Sequence, residues 1–412
     1  MIFNSSKYNN EWNTKQLSEL GKFQRGKSRH RPRNDSRLFE HGTYPLVQTG
    51  EVKAANLYIN THEVCYNEFG LSQSVIWPEN TLCITIAANI AETALLGYPM
   101  CFPDSVVGFN ADPEESSELF MHYVFTYIRK AIQNSASGSI QDNINIEYLT
   151  GLRFKIPHKT YQDKIADVLS SLDKKIELNN RINTELEAMA KTLYDYWFVQ
   201  FDFPDDNGKP YKSSGGKMVY NSIIKREIPK GWSDSTLGDI ADLYQPKTIS
   251  EKEMKNDGRY LVYGANGIVG RYNAYNHEAS VVAITCRGNS CGQINITRPY
   301  SWITGNAMVV SPNYSYLSPL YIHNLLRKSG LESVITGSAQ PQITRTNLAP
   351  LKIVMPCPAV LTKYAELVKP NFDKQLAVLA ENEQLRSLRD WLLPMLMNGQ
   401  VTVKPSIEPE KA

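Results

Sequence analysis

Two kinds of hydrophobic pattern alternate along this chain. Short apolar runs bounded by turn residues, Thr81–Ile86 and Ser105–Phe109, then Ser280–Thr285 and Ala307–Ser311, predict β-strands. Each set is followed by a short amphipathic helix, Ser116–Ile132 and Ser318–Lys328. The second opens on Ser318-Pro319, an N-cap with proline at the first helical position. Both carry an Arg-Lys pair at or near the end, Arg129-Lys130 and Arg327-Lys328, where positive charge suits the carbonyl end of a helix. After each helix the period lengthens. From Tyr161 to about Phe198, Ile165, Leu169, Leu172, Ile176, Leu186, Ala190, Leu193 and Trp197 recur at mostly three and four steps, with Asn179 and Asn183 interrupting the apolar seam. Polar seam residues lower stability but fix register and mate, so this helix is expected to have one designated partner. After Pro370 the segment Phe372–Asn398 supplies it, through Phe372, Leu376, Leu379, Leu385, Leu388, Leu392 and Met395, with spacing that drifts after Leu379.

The two halves of the chain repeat each other. Gly138–Pro157 (GSIQDNINIEYLTGLRFKIP) returns without a gap as Gly337–Pro356 (GSAQPQITRTNLAPLKIVMP), with seven of twenty positions identical. Fainter echoes link Glu11-Trp12 to Gly231-Trp232, and Tyr44–Gly50 to Tyr260–Gly264. The predicted class is α+β: two repeated mixed α/β domains joined by two long antiparallel coiled-coil helices, with pseudo-two-fold symmetry. The expected boundaries are a first domain at 1–157, a long helix at 158–203 and a linker at 204–227. A second domain at 228–356, a second long helix at 357–400 and a tail at 401–412 complete the chain. A duplicated module suggests a duplicated target, and DNA is the commonest with two-fold pseudo-symmetry.

Composition narrows the function classes. The 412 residues suffice for several domains with their own cores. Six scattered cysteines and no recognisable signal peptide point to reduced thiols and a cytoplasmic protein, and only Cys286 and Cys291 lie close, a poor zinc pattern. The apolar stretch Leu82–Met100 is broken by Asn89 and Glu92, so no membrane span is expected. A net charge of +2 requires any DNA contact to use local patches. Between the halves, Tyr194, Tyr196, Trp197, Phe198, Phe201 and Phe203 precede turn-rich Pro204–Pro210 and Ser213–Gly216. These rings either pack the end of the helix pair or, through Tyr196, Trp197, Phe198 and Phe201, form a docking surface for another subunit.

The GSIQDN and GSAQPQIT strings, the segment TLYDYWFVQFDFPDDNGKPYKSSGGKM running into IPKGW, and the closing LRDWLLPMLMNGQV carry a family resemblance. Over nearly its full length the chain resembles the specificity subunit of Type I restriction-modification systems. The resemblance implies two target recognition domains, each reading one half of a bipartite double-stranded DNA sequence. It also implies paired helices that set the spacing and seat two methyltransferase subunits, with restriction/translocase subunits in the full complex. By the same resemblance the chain itself catalyses nothing and binds no cofactor; S-adenosylmethionine and ATP belong to partner subunits.

The residues agree about catalysis. An adenine methyltransferase needs an Asn/Asp-Pro-Pro-aromatic loop to hold a flipped base, and this sequence has none. Gly21-Lys-Phe-Gln-Arg-Gly-Lys-Ser28 does fit the P-loop pattern. That motif works only between a strand and a helix, and here Arg29-His-Arg-Pro-Arg33 follows with no helical period. An extended DNA-facing loop explains these residues better, because Gln24, Arg25, Lys27, Arg29, Arg31 and Arg33 alternate with small or polar neighbours and project cations toward phosphates or guanine edges. The corresponding Tyr244-Gln-Pro-Lys247-Thr is far less basic, so the two domains are expected to read different sequences. Further candidate readers are Gln48, Asn89, Gln141 and Asn143 in the first half, and Asn266, Arg287, Asn289, Gln340 and Gln342 in the second. Glutamine and asparagine pair with adenine, and arginine with guanine. The shared Gln141 and Gln340 suit a backbone contact or loop brace. Two alternatives remain open on the residues alone: a scaffold that binds protein and not DNA, and a P-loop ATPase dependent on Lys27.

Overall fold

A computed structural model describes residues 2–137, 144, 146–255, 257–265, 267–337 and 340–403. The chain divides into two compact units, residues 1–180 with 380–412 and residues 181–379.

The first unit is built on a five-stranded sheet in the order Gly21–Arg25, Val106–Ala111, Leu82–Thr85, Thr93–Leu96, Tyr58–Ile59. The first four strands are antiparallel neighbours and the last pair is parallel. Alternation splits the central strands between two cores. Leu82, Ile84, Val107 and Phe109 face the helix Glu118–Ser137 through Phe120, Met121, Val124 and Phe125. Cys83, Ala94, Leu96 and Val106 pack on the other side against Val47, Trp77, Met100 and Phe102. Burial on both faces explains why these strands read as continuous apolar runs. A four-stranded sheet carries Val64–Tyr66, Tyr44–Leu46, Met100–Cys101 and Ile76–Trp77 in that order. Ile2–Phe3, Arg153–Ile156 and Asn13–Gln16 form a third sheet.

The second unit repeats this plan more sparely. Its main sheet runs Ala241–Tyr244, Ala307–Pro312, Val282–Thr285, Ile294–Ile296, covered by the helix Pro319–Ser329. The smaller sheet is Gly267–Tyr272, Tyr260–Gly264, Trp302–Ile303, and Ser233–Thr236 pairs with Lys352–Met355. Each covering helix is capped alike: the Phe120 N–H donates to Ser117 Oγ and the Tyr321 N–H to Ser318 Oγ, both at 3.2 Å.

The long helices span Lys159–Tyr194 and Pro358–Met397. Within the first unit their segments run antiparallel, as Asn179 Nδ2 donates to Asn382 Oδ1 at 2.9 Å while Arg389 Nη1 donates to Asp173 Oδ1 at 2.7 Å. Asn382 Nδ2 returns a bond to Asn180 Oδ1 at 2.9 Å. The asparagine in the seam thus meets an asparagine mate, a pairing that an out-of-register apolar neighbour would leave unsatisfied. In the second unit Gln375 Nε2 reaches the Asn183 carbonyl at 3.4 Å.

The second long helix, expected at 357–400, spans Pro358–Met397 and runs through Pro370. Burial of Val360, Leu361, Tyr364 and Val368 offsets the loss of one backbone hydrogen bond, roughly 3 kcal/mol for an interior proline. Its buried track also differs from the leucine seam: Leu388 is 43% exposed, whereas Val378, Asn382 and Leu393 are buried, because the mate's inward positions are themselves partly polar. Finally, the supposed linker 204–227 is structured. Asp202 accepts from the Ser213 N–H at 2.7 Å and the Ser213 hydroxyl at 2.6 Å, and Met218–Asn221 pairs with Arg226–Pro229 as a hairpin.

Candidate nucleic-acid interface

The repeated sequence block frames the loops of both domains. The Ile144 N–H donates to Ile86 O and the Ile343 N–H to Cys286 O, each at 3.0 Å; these isoleucines are identical in the two copies. Leu17 N–H to Leu152 O at 2.9 Å is matched by Leu237 N–H to Leu351 O at 3.0 Å. Ile86 N–H to Ser105 O at 3.0 Å is matched by Cys286 N–H to Asn306 O at 3.2 Å. Strand register extends the correspondence, since Gln24 lies opposite Gly108 and Tyr244 opposite Val309. Arg25 and Gln245 therefore hold one place, Lys27 and Lys247 another, and Asp104 and Gly305 a third.

In the first domain the basic segment leaves the sheet-edge strand Gly21–Arg25 and turns over the Pro103–Ser105 corner. Gly26 makes this approach: its N–H donates to Val106 O at 2.9 Å, and a Cβ there would lie 2.2 Å from Pro103 O. Arg25 Nε donates to the Asp104 carbonyl. Arg31 Nη2 and Arg33 Nη2 both reach Asp104 Oδ2, at 3.2 and 2.5 Å. Arg31 Nη1 also donates to Ser28 O at 2.6 Å and His30 O at 2.8 Å. Gln24, Arg25 and Arg29 are exposed and Lys27 is half-buried. Beyond them Asp35 accepts from Arg37, and Arg37 with His30 holds its carboxyl well below the usual carboxylate range. The strand is followed by an irregular segment and the short turn Ser36–Leu38, not by a phosphate-cradling helix, so the P-loop geometry is not formed.

Other first-half candidates are tied down locally. Gln48 precedes the helix Thr49–Ala54, and its N–H donates to Glu51 Oε2 at 2.7 Å, so it serves as a helix start. Asn89 Oδ1 accepts from Lys53 Nζ at 3.3 Å. Gln141, Asn143 and Asn266 lie outside the described residues.

In the second domain the structure brings four candidates together. Arg287 and Gln342 form an antiparallel bridge, the Gly288 N–H donates to Pro341 O at 3.1 Å, and Arg287, Asn289, Gln340 and Gln342 are exposed. Lys247 is exposed too. Tyr244 is engaged by His277, with a 2.8 Å bond from hydroxyl to Nε2 and nearly parallel rings. Gln245 Nε2 donates to Cys286 Sγ at 2.8 Å.

The aromatic docking surface is corrected. Trp197, Phe198 and Phe201 are buried with Tyr194, Trp232, Tyr321 and Tyr364 in one cluster of the second unit, and only Tyr196 is exposed. Phe198 lies 4.9 Å from both Tyr321 and Tyr364, edge to face. The turn Asp195–Val199 and the positive φ of Phe201 fold the rings back onto the domain, where they bury far more apolar surface than on a helix end.

Sequence reasoning missed two features. Tyr123 donates to Asp173 Oδ2 at 2.7 Å, a hydrogen bond from the first domain to its long helix, and Asp173 is in turn ion-paired with Arg389 of the other long helix. Beside it sits His122, bonded to Thr93 Oγ1 at 3.1 Å and kept neutral, its pKa pushed down to about 3 by burial and by Arg129 and Arg389. His323 holds the same place after Ser318 that His122 holds after Ser117, and burial lowers it to about 4. Aligning the two cap serines would have exposed this repeat. No helix among the described residues is long and apolar enough to cross a membrane.

Two copies of one frame, each packed on segments of the long helices and each carrying unlike polar loops, define a duplicated-domain protein. The chain matches the Type I restriction modification DNA specificity domain over residues 9–188 and 229–373. It belongs to this family of Type I restriction-modification specificity subunits, the DNA-recognising, non-catalytic components of their complexes. It is 24% identical to the Type I restriction enzyme MjaIX specificity subunit of Methanocaldococcus jannaschii, over 96% of this chain and 94% of the relative. It is 23% identical to the HindI specificity subunit of Haemophilus influenzae, over 90% and 97%. The crystal structure of a Type I restriction-modification S subunit from M. genitalium matches the fold with a TM-score of 0.61 at 19% identity, covering 96% of this chain and 99% of that one.

Proposed function

We propose that this chain reads an asymmetric bipartite double-stranded DNA target, one domain per half, and seats two methyltransferase subunits on its helices in the cytoplasm. Restriction/translocase subunits join in the full complex, and S-adenosylmethionine and ATP bind to those partners. One observation carries the reading: equivalent places in the duplicated frame bear unlike side chains, Arg25 and Asp104 in one copy against Gln245 and Gly305 in the other. The first reader comprises Gln24, Arg25, Lys27, Arg29, Arg31 and Arg33; the second comprises Lys247, Arg287, Asn289, Gln340 and Gln342. A frame conserved within the chain positions, and divergent loops specify. The long helices, about 1.5 Å per residue, set the unread spacing between half-sites.

Replacing residues 1–157 with a domain of different specificity is expected to change one half of the methylated motif and leave the other intact, read by genome-wide adenine methylation. A change in both halves would sink the two-reader assignment.

A further inference from the structure

Asp35 is taken up by Arg37 and His30, and Arg25, Arg31 and Arg33 of the first-domain loop converge on Asp104, which sits beneath them. The Asp104 side chain is 17% exposed, against 55% for Arg31 and 56% for Arg33. Its Oδ2 takes both guanidinium groups, and its backbone carbonyl takes Arg25. The corner that carries it is locked to the loop by the Gly26–Val106 hydrogen bond and by the close approach of Gly26 to Pro103. Asp104 is therefore fixed by backbone, Arg33 is held by Asp104, and Arg31 is held by Asp104 together with the Ser28 and His30 carbonyls. A guanidinium carries five donors in a rigid fork, so the single Nη2 bond of Arg33 leaves its outer edge available, whereas Arg31 spends both Nη1 hydrogens on the Ser28 and His30 carbonyls and Nη2 on Asp104.

We infer that Asp104 is a positioning residue that holds Arg33 pre-set for a guanine edge in the half-target of the first domain, with Arg31 braced beside it. Free arginines on an exposed loop lose rotamer freedom when they bind, and pre-ordering removes part of that loss. A carboxylate close to DNA also repels phosphate, which weakens binding to every sequence while sparing the bidentate guanine contact. Asp104 thus trades general affinity for discrimination. The device belongs to one domain only. Gly305 stands at the equivalent place, where a Cβ would meet Thr248 Oγ1 at 2.5 Å and Pro246 O at 2.9 Å, so no side chain fits.

The inference rests on the DNA-reading role of this loop, and the experiment separates the two. The complete methylating complex carrying Asp104→Asn, Arg31→Ala with Arg33→Ala, or Asp104→Asn with Arg33→Ala is assayed for its methylation motif, DNA affinity against salt, and thermal melting. Asp104→Asn is expected to relax a guanine position in the first half by on the order of 10-fold, raise binding to unrelated DNA, leave the second half unchanged and melt like the parent. Asp104→Glu should recover part of the discrimination. Asp104→Asn added to Arg33→Ala should cost little beyond Arg33→Ala alone. Additive losses, an unchanged motif in Asp104→Asn, relaxation of both halves or a large fall in melting temperature would each overturn the positioning role. If the Arg31/Arg33 variant also keeps parental affinity and motif, the loop does not read DNA and both assignments fall.

Discussion

The two domains share a frame but are fastened and furnished differently. The first meets its helices at a buried polar triad, the Tyr123 hydroxyl and the Arg389 guanidinium on Asp173, around a cavity of about 190 Å³, with Ile165, Leu169 and Leu393 packed into its core. The second is joined by rings, with Tyr194 and Phe198 packed on Tyr321 and Tyr364, beside a cleft of about 900 Å³ lined by Asn183, Gln375 and His323. Their loops differ in the same manner: a charged, buttressed cluster in one copy and a neutral, close-packed corner with one arginine bridge in the other. Both copies keep the hydrogen bonds that set strand ends, the helix-cap serine and a histidine whose pKa burial lowers, while the loops around Arg25 and Gln245 differ. Specificity diverges where the backbone already supplies the geometry.

The largest effects should come from cutting the two fastenings. Arg389→Ala leaves Asp173 buried and uncompensated, a loss of about 3–5 kcal/mol, and Phe198→Ala empties the ring cluster at a similar cost of about 3–5 kcal/mol. Hydrogen exchange should localise the first loss to residues 1–180 with 380–403 and the second to 181–379; the same pattern for both would erase the contrast. A smaller effect concerns the feature the copies share. His122 has a folded pKa of about 3, below its ordinary 6.5, so the unfolded chain takes up protons first. Its contribution to stability is intact above about 6.5 and is lost as pH falls toward 3, by up to about 1.4 kcal/mol per pH unit. His122→Gln should flatten part of that acid slope in melts from pH 7 to 4, and His323→Gln should do likewise, since both imidazoles are held neutral. An unchanged slope in either would break the equivalence. The smallest effects should come from Lys27→Ala and Lys247→Ala. As matched phosphate contacts, each is expected to lower the salt slope of DNA binding by about one without altering the motif. A motif change from either would move that lysine among the base readers.

Much of this architecture is legible in the sequence for a physical reason. Strands buried on both faces, such as Leu82–Thr85 and Val282–Thr285, leave continuous apolar runs, and a 36-residue helix leaves a long period interrupted only at Asn179 and Asn183. The second helix was harder because its mate-facing positions include Gln375, Asn382 and Arg389, which a search for leucines passes over. At the loops, residue type was readable and pairing was not. The run from Arg25 to Arg33 announces itself, but Asp104 lies about 70 residues away in an ordinary Pro-Asp-Ser turn. The rings after Tyr194 advertised a surface, and only the fold of Asp195–Phe201 reveals that they point inward.

The division into units also orders events during synthesis. The second unit is one uninterrupted stretch, residues 181–379, whereas the first needs residues 380–403 to finish. Asn179 waits for Asn382, more than two hundred positions later, and Asp173 waits for Arg389. On the ribosome, then, the first unit is begun before the second and completed after it, its buried aspartate unneutralised until Arg389 has been made.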